Sequence, residues 1–167
     1  MTLIKSKPPY STTDVSAEKT QQQITELLRS HGISQLQWNV DYENDRVQLQ
    51  FVIEYERIED KSFHMIAVRV TPPMFAQKRR TFNTTKGKYE SLVMANWAQS
   101  MRLLYYWLKA KIEAISWDLN SVEKEFLSDI ITRLPDGTQL TIWELIDGQV
   151  RDQKLMIEAP RNGGYEA

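Results

Sequence analysis

The chain has 167 residues, carries 21 lysines and arginines against 22 acids for a formal net charge of −1, and contains no cysteine. That length suits one domain with a core large enough to need neither disulfides nor metal. Without cysteine, thiol catalysis, cysteine-ligated zinc and a disulfide framework are excluded; with charges nearly cancelled, a contact with nucleic acid or an acidic surface has to come from a local patch.

Residues 1–14 mix Lys, Pro, Ser and Thr and read as a flexible arm, with no apolar run of signal-peptide length. No stretch approaches the ~18 uninterrupted apolar residues of a membrane span, so no membrane contact is expected. The single α+β domain is expected over 15–150 and a partly disordered tail over 151–167. Asp14 or Ser16 caps a helix predicted over 17–31, with Ala17, Ile24, Leu27, Leu28 and His31 on one side. Gly32 then ends it, with Ile33 packing back on Leu28 in a Schellman stop.

A three-stranded antiparallel meander follows, at about 35–42, 46–56 and 62–71. Leu36, Trp38, Val40 and Tyr42 alternate with Gln37, Asn39 and Asp41, the period of a half-buried strand. A two-residue loop at Asn44-Asp45 sets Tyr42 opposite Val47, Val40 opposite Leu49, Trp38 opposite Phe51 and Leu36 opposite Ile53. A second loop at Glu59-Asp60 sets Tyr55 opposite His64, Ile53 opposite Ile66, Phe51 opposite Val68 and Leu49 opposite Val70, all on the same apolar face. The other face, Gln37, Asn39 and Asp41, then Gln48, Gln50, Val52 and Glu54, then Phe63, Met65, Ala67 and Arg69, is mostly polar and reads as a solvated outer face; an open binding platform is the alternative, with Phe63 as its lone aromatic.

Pro72-Pro73 ends the third strand, and 74–87, MFAQKRRTFNTTKG, shows neither helical nor strand period. It reads as a long loop, and loops beyond ~12 residues in a compact domain tend to be functional or disordered. Residues 88–117 contain no proline or glycine and three of the five tryptophans, predicting one long helix that packs with the first on the inner face of the sheet. Val93, Trp97, Met101, Leu104, Leu108, Ile112 and Ile115 form its stripe. A second stripe, Leu103, Trp107, Ala110 and Ala114, is available to a further helix, while Gln99, Arg102, Lys109 and Glu113 occupy the solvent side. Lys111 lies between the stripes, where it is expected to snorkel. A capping-box pattern at Asn120–Glu123 opens a helix over 121–133, with Val122, Phe126, Leu127, Ile130 and Ile131 inward, closed by Pro135-Asp136-Gly137. A second capping box at Thr141–Glu144 opens a helix over 142–147 that stops at Gly148, and Lys154 to Ile157 reads as a docking segment.

No catalytic motif emerges. The only histidines, His31 and His64, lack ligand spacing and read as structural. Acids gather at Glu54, Glu56, Glu59 and Asp60, and at Asp118, Glu123, Glu125 and Asp129, on a hairpin end and a solvated helix rather than in a pocket. No phosphate-cradling glycine loop or serine elbow occurs, so no cofactor and no metal are expected. What remains is the basic loop. Lys78, Arg79, Arg80, Lys86 and Lys88 stand with no acid between Pro72 and Tyr89, and four or five such cations suit phosphate neutralisation, with Phe75 and Phe82 available to stack on bases. The site residues expected are therefore Lys78, Arg79, Arg80, Phe82, Lys86 and Lys88. Docking of this loop on an acidic protein and a solvated insertion with no specific role are the alternatives.

The segments SAEKTQQQITELLRSHGI, the hairpin sheet, the basic loop, WLKAKIEAI and EKEFLSDIITRLPDGTQLTIWELI together resemble a family of small uncharacterised proteins encoded by bacteriophages and prophages. The similarity runs from about Tyr10 to Ile146 and is most specific at KAKIEAI (109–115), EFL (125–127) and LPDG (134–137). Family members are richer in arginine and tryptophan where this chain has Ser100, Met101, Arg102 and Leu103, so no basic patch is expected there. The resemblance implies a phage protein working in the bacterial cytoplasm, in DNA metabolism, host takeover or virion assembly. The expectation is a non-enzymatic accessory protein that binds nucleic acid, DNA rather than RNA, through 78–88. An adaptor or inhibitor of a host or phage protein is the second reading, and a metal-dependent enzyme the third.

Overall fold

A computed structural model describes residues 9–57 and 61–152. Its architecture is α+β, organised on a three-stranded antiparallel sheet in the order β1 (Leu36–Asp41), β2 (Arg46–Glu56) and β3 (Phe63–Val70). The inner face of this sheet carries Val47, Leu49, Phe51, Ile53, Val68 and Val70, all buried. Against it pack α1 (Ala17–Ser30), through Ile24 and Leu28, and α2 (Trp97–Ser116), through Met101, Leu104, Leu108 and Ile112. Phe126, fully buried, closes the layer edge-to-face against Phe51.

α1 begins and ends as its residues dictate. The Ser16 side chain accepts from the Lys19 amide, and at the other end Gly32 takes φ +82° while the Ile33 and Gly32 amides donate to the Leu28 and Arg29 carbonyls. This is the Schellman pair, and it turns Ile33 into the core beside Leu28.

Both hairpins place the expected face inward, but the first has a different loop. β2 and β3 pair with Leu49 opposite Val70, Phe51 opposite Val68, Ile53 opposite Ile66 and Tyr55 opposite His64, as anticipated; part of the connecting turn, 58–60, lies outside the described residues. β1 and β2 pair two residues away from the expected register, with Leu36 opposite Phe51, Trp38 opposite Leu49 and Val40 opposite Val47. The cause is Asp41, whose Oδ1 accepts from the Glu43 and Asn44 amides and whose Oδ2 accepts from the Asn44 side chain. Those bonds make a four-residue loop, Tyr42 to Asp45, in which only Asp45 adopts positive φ, and they hold the Asp41 carboxyl below the usual carboxylate range. A slip of two keeps Leu36, Trp38 and Val40 on the same side of the sheet, but it moves Tyr42 off the strand into the loop and leaves both Val40 and Tyr42 exposed.

The larger departure lies at 74–95. Residues 76–83 and 88–95, expected as a basic loop and as the start of a 30-residue helix, instead form an antiparallel hairpin of β4 (Ala76–Asn83) and β5 (Lys88–Ala95). The helix starts only at Trp97, because Asn96 ends the strand: its amide donates to the Phe75 carbonyl and its side chain accepts from the Gln99 amide as N-cap. Val93, counted on the helical stripe, is therefore 67% exposed on the hairpin. Gln99, expected in solvent, is buried, with its side-chain amide donating to the Pro9 carbonyl. Beside it Tyr10 stacks on Tyr106.

The helix expected over 121–133 is also cut short. α3 (Val122–Phe126), capped by Ser121, leads through a tight turn at Leu127–Asp129 into β6 (Ile131–Arg133), which pairs with β7 (Gln139–Thr141). Ile130 bridges to Val68 on the free edge of β3. A β-branched run beside an open sheet edge gains pairing that a further helical turn lacks. The capping box at Thr141 and Glu144 forms as expected, but α4 (Ile142–Arg151) runs through Gly148 rather than stopping there. The segment Lys154 to Ile157 lies outside the described residues.

Leu108 sits fully buried where α2 crosses the sheet. Leu108→Ala is expected to lower unfolding free energy by about 2–5 kcal/mol, whereas Val93→Ala changes it by about 0.5 kcal/mol or less. Urea denaturation of both variants checks this; an equal loss would place Val93 on the packed helix instead of the ribbon.

Candidate nucleic-acid interface

β4 and β5 make a sheet of their own, hydrogen-bonded to no other strand among the described residues. An isolated two-stranded ribbon is marginal in water, so its local contacts matter. Phe82 lies opposite Tyr89, their rings 5.1 Å apart and edge-to-face, and the Arg80 guanidinium sits 4.6 Å over the Tyr89 ring. At the tip, Asn83 Oδ1 accepts from the Thr85 and Lys86 amides, and Gly87 supplies the positive φ that closes the turn. Glu90 then accepts from Asn83 at 2.9 Å and from Lys86 at 3.0 Å. At the base, the Phe75 amide donates to Ser100 Oγ, and the half-buried Met74 packs on the core.

The pairing sorts the expected site residues. Lys78, Arg80 and Phe82 project on one face, joined by Tyr89, Ser91 and Val93. Arg79 and Lys88 project on the other, with Glu90, Leu92 and Met94, and Lys86 occupies the turn. All six are exposed. No carboxylate pairs with Lys78, Arg79 or Lys88 among the described residues. Between Ala76 and Ala95 five cations face one acid, a net charge of +4; because the whole chain carries −1, the remainder carries −5. Tyr89 is absent from the expected site because the sequence spacing predicts helix over 88–95. The signal for it was present: Phe82 and Tyr89 flank Asn83 and Gly87 at hairpin spacing. Phe75, considered for stacking, is instead half-buried ahead of β4.

Other candidates resolve into structural roles. Lys111 is largely covered, but it has the carboxylate partner not foreseen in the sequence: Glu125 Oε2 lies 3.6 Å away. Its ammonium also donates to the Glu125 carbonyl and lies over the Trp107 and Phe126 rings. Glu123 accepts from the Tyr55 hydroxyl at 2.8 Å and pairs with Arg57. Backbone and Tyr55 hydrogen bonds hold Glu123 below its usual range, while burial pushes Asp129 up. No three His, Asp or Glu side chains converge to hold a metal among the described residues. His31 Nδ1 faces the Leu27 carbonyl and His64 stacks on Tyr55. On the outer sheet face, Arg69 pairs with Glu144 of α4 beside a cleft of about 340 Å³. No helix among the described residues is long and apolar enough to cross a membrane.

The structure thus defines an α+β body bearing a cationic β-ribbon. Compared with family models, curated proteins and solved structures, the chain matches none.

The hydrogen bond from Asn83, and after it the one from Lys86, lowers the Glu90 carboxyl below its ordinary value of 4.5. A depressed acid contributes stability above its unfolded-state value and loses it as pH falls through the folded one, so the ribbon turn should loosen only in acid. NMR titration should find Glu90 below 4.5 in the native chain, with Asn83→Ala raising it more than Lys86→Ala. The reverse order would make Lys86 the dominant partner.

Proposed function

We propose that this chain is a non-enzymatic, phage-type accessory protein that binds nucleic acid on the β4–β5 ribbon and acts in the host-cell cytoplasm. The observation that supports this is the charge separation: an exposed, independently paired ribbon of net charge +4 on a body of net charge −5. Lysine and arginine contacts with phosphate release condensed counterions, so such a surface binds polyanions with strong salt dependence and little sequence preference. The acidic body opposes binding anywhere else and orients the ribbon toward the polyanion. DNA is the favoured form, because a two-stranded ribbon suits the grooves of B-form duplex better than those of A-form RNA. The phage assignment rests on the family resemblance of the sequence.

A second reading is an adaptor or inhibitor of a host or phage protein. It is favoured by Leu92, Val93 and Met94, which leave apolar surface exposed on β5, and by the open ribbon edges, to which an extended segment can pair. A nuclease-resistant complex captured from host lysate would favour it. The metal-dependent reading lacks a converging ligand set among the described residues.

Fluorescence anisotropy with a labelled duplex is expected to show binding that weakens with a log–log salt slope of about −4, if four or five phosphates are contacted. The triple change of Lys78, Arg79 and Arg80 to Ala should reduce that slope by about 3. Absence of binding at low salt, or binding unaffected by the triple change, overturns the proposal.

A further inference from the structure

Resting on the nucleic-acid reading above, we infer that one face of the ribbon, carrying Lys78, Arg80, Phe82 and Tyr89, enters the major groove of B-form DNA while the face carrying Arg79 and Lys88 is turned away. The two faces carry the same number of strand cations, so charge alone does not choose between them. Three features of their side chains do.

The Lys78 face holds no carboxylate, whereas the opposite face holds Glu90. Glu90 is bound to Asn83 and Lys86, yet its charge would still be carried into the most negative part of the duplex if that face led. Arg80 is also held in advance of binding: its guanidinium lies on the Tyr89 ring at 4.6 Å, so ordering it against a phosphate or a guanine edge costs less side-chain freedom. Finally, Phe82 and Tyr89 form an apolar pair beside it, 49% and 60% exposed, which suits contact with thymine methyl groups.

Ring geometry also separates duplex from single-strand binding. Arg80 lies over one face of the Tyr89 ring and Phe82 meets it at 66°, which narrows the ring surface left for an unstacked base. The size of the ribbon then selects the groove. Eight residues per strand extend about 25 Å, with strands about 4.8 Å apart; with side chains added, such a ribbon fits the ~12 Å major groove and exceeds the ~6 Å minor groove. A-form RNA presents a deep, narrow major groove that would not admit it.

Charge-matched double variants test the assignment on one 20-base-pair DNA duplex and an RNA duplex of the same sequence, with circular dichroism confirming that each variant is folded. Lys78→Ala with Arg80→Ala is expected to weaken DNA binding about tenfold more than Arg79→Ala with Lys88→Ala. To separate loss of contact from loss of the Arg80–Tyr89 packing, Lys78→Ala alone should weaken binding more than Arg79→Ala alone. The native chain should bind DNA more tightly than RNA and protect guanine N7, in the major groove, from dimethyl sulfate while leaving adenine N3, in the minor groove, reactive. Equal losses for the two doubles, equal affinity for both duplexes, or protection of adenine N3 would overturn the face and groove assignment and leave diffuse phosphate binding in place. No binding of either duplex by the native chain would overturn the underlying nucleic-acid reading itself.

Discussion

The apolar face of β2 is the constraint on which the rest of the body depends. Val47, Leu49, Phe51 and Ile53 occupy alternate positions, are all buried, and must be covered from one side. α1 and α2 supply that cover, and Phe126 seals its edge against Phe51. Because successive side chains of a strand point to opposite faces, this single requirement sets the inward set of β1 and β3 as well. It also explains why the β1–β2 register can shift by two residues without exposing the core, where a shift of one could not occur.

A second junction decides what becomes of the charged segment. Asn96 receives both the end of β5 and the start of α2, its amide bound to Phe75 and its side chain capping the helix at Gln99. Upstream of that residue the chain leaves the body as a ribbon; downstream it buries Gln99 and Ser100 under Pro9 and Met74. One residue thus separates an exposed cationic element from the packed spine of the domain. The cations are consequently paired across two strands and divided between two faces instead of being spread along a loop.

That division gives the ribbon its chemical character. Phe82, Tyr89 and Arg80 brace one another, and Asn83, Lys86 and Glu90 close the tip, so a marginal two-stranded element is held by its own side chains. The one acid in the ribbon is used in that bracing, which leaves Lys78, Arg79 and Lys88 without carboxylate partners among the described residues. Lys111 shows the contrasting case within the body, where a cation is enclosed by Glu125 and two aromatic rings.

The amino-acid sequence by itself determined the α+β class, the three-stranded meander with its inward face, the Schellman end of α1, the capping box of α4 and the concentration of cations near 78–88. Each depends on contacts a few residues apart or on strict alternation, and such signals survive without knowledge of the neighbours. Tertiary structure alone decided the rest. The unbroken helical spacing from Val93 to Trp97 could not reveal that Asn96 bonds to Phe75, and the period from Phe126 to Ile131 could not reveal the open edge of β3 beside Ile130. In both places a long-range hydrogen bond outweighs local periodicity, and at 88–95 that difference turned the expected start of a helix into half of the proposed binding ribbon.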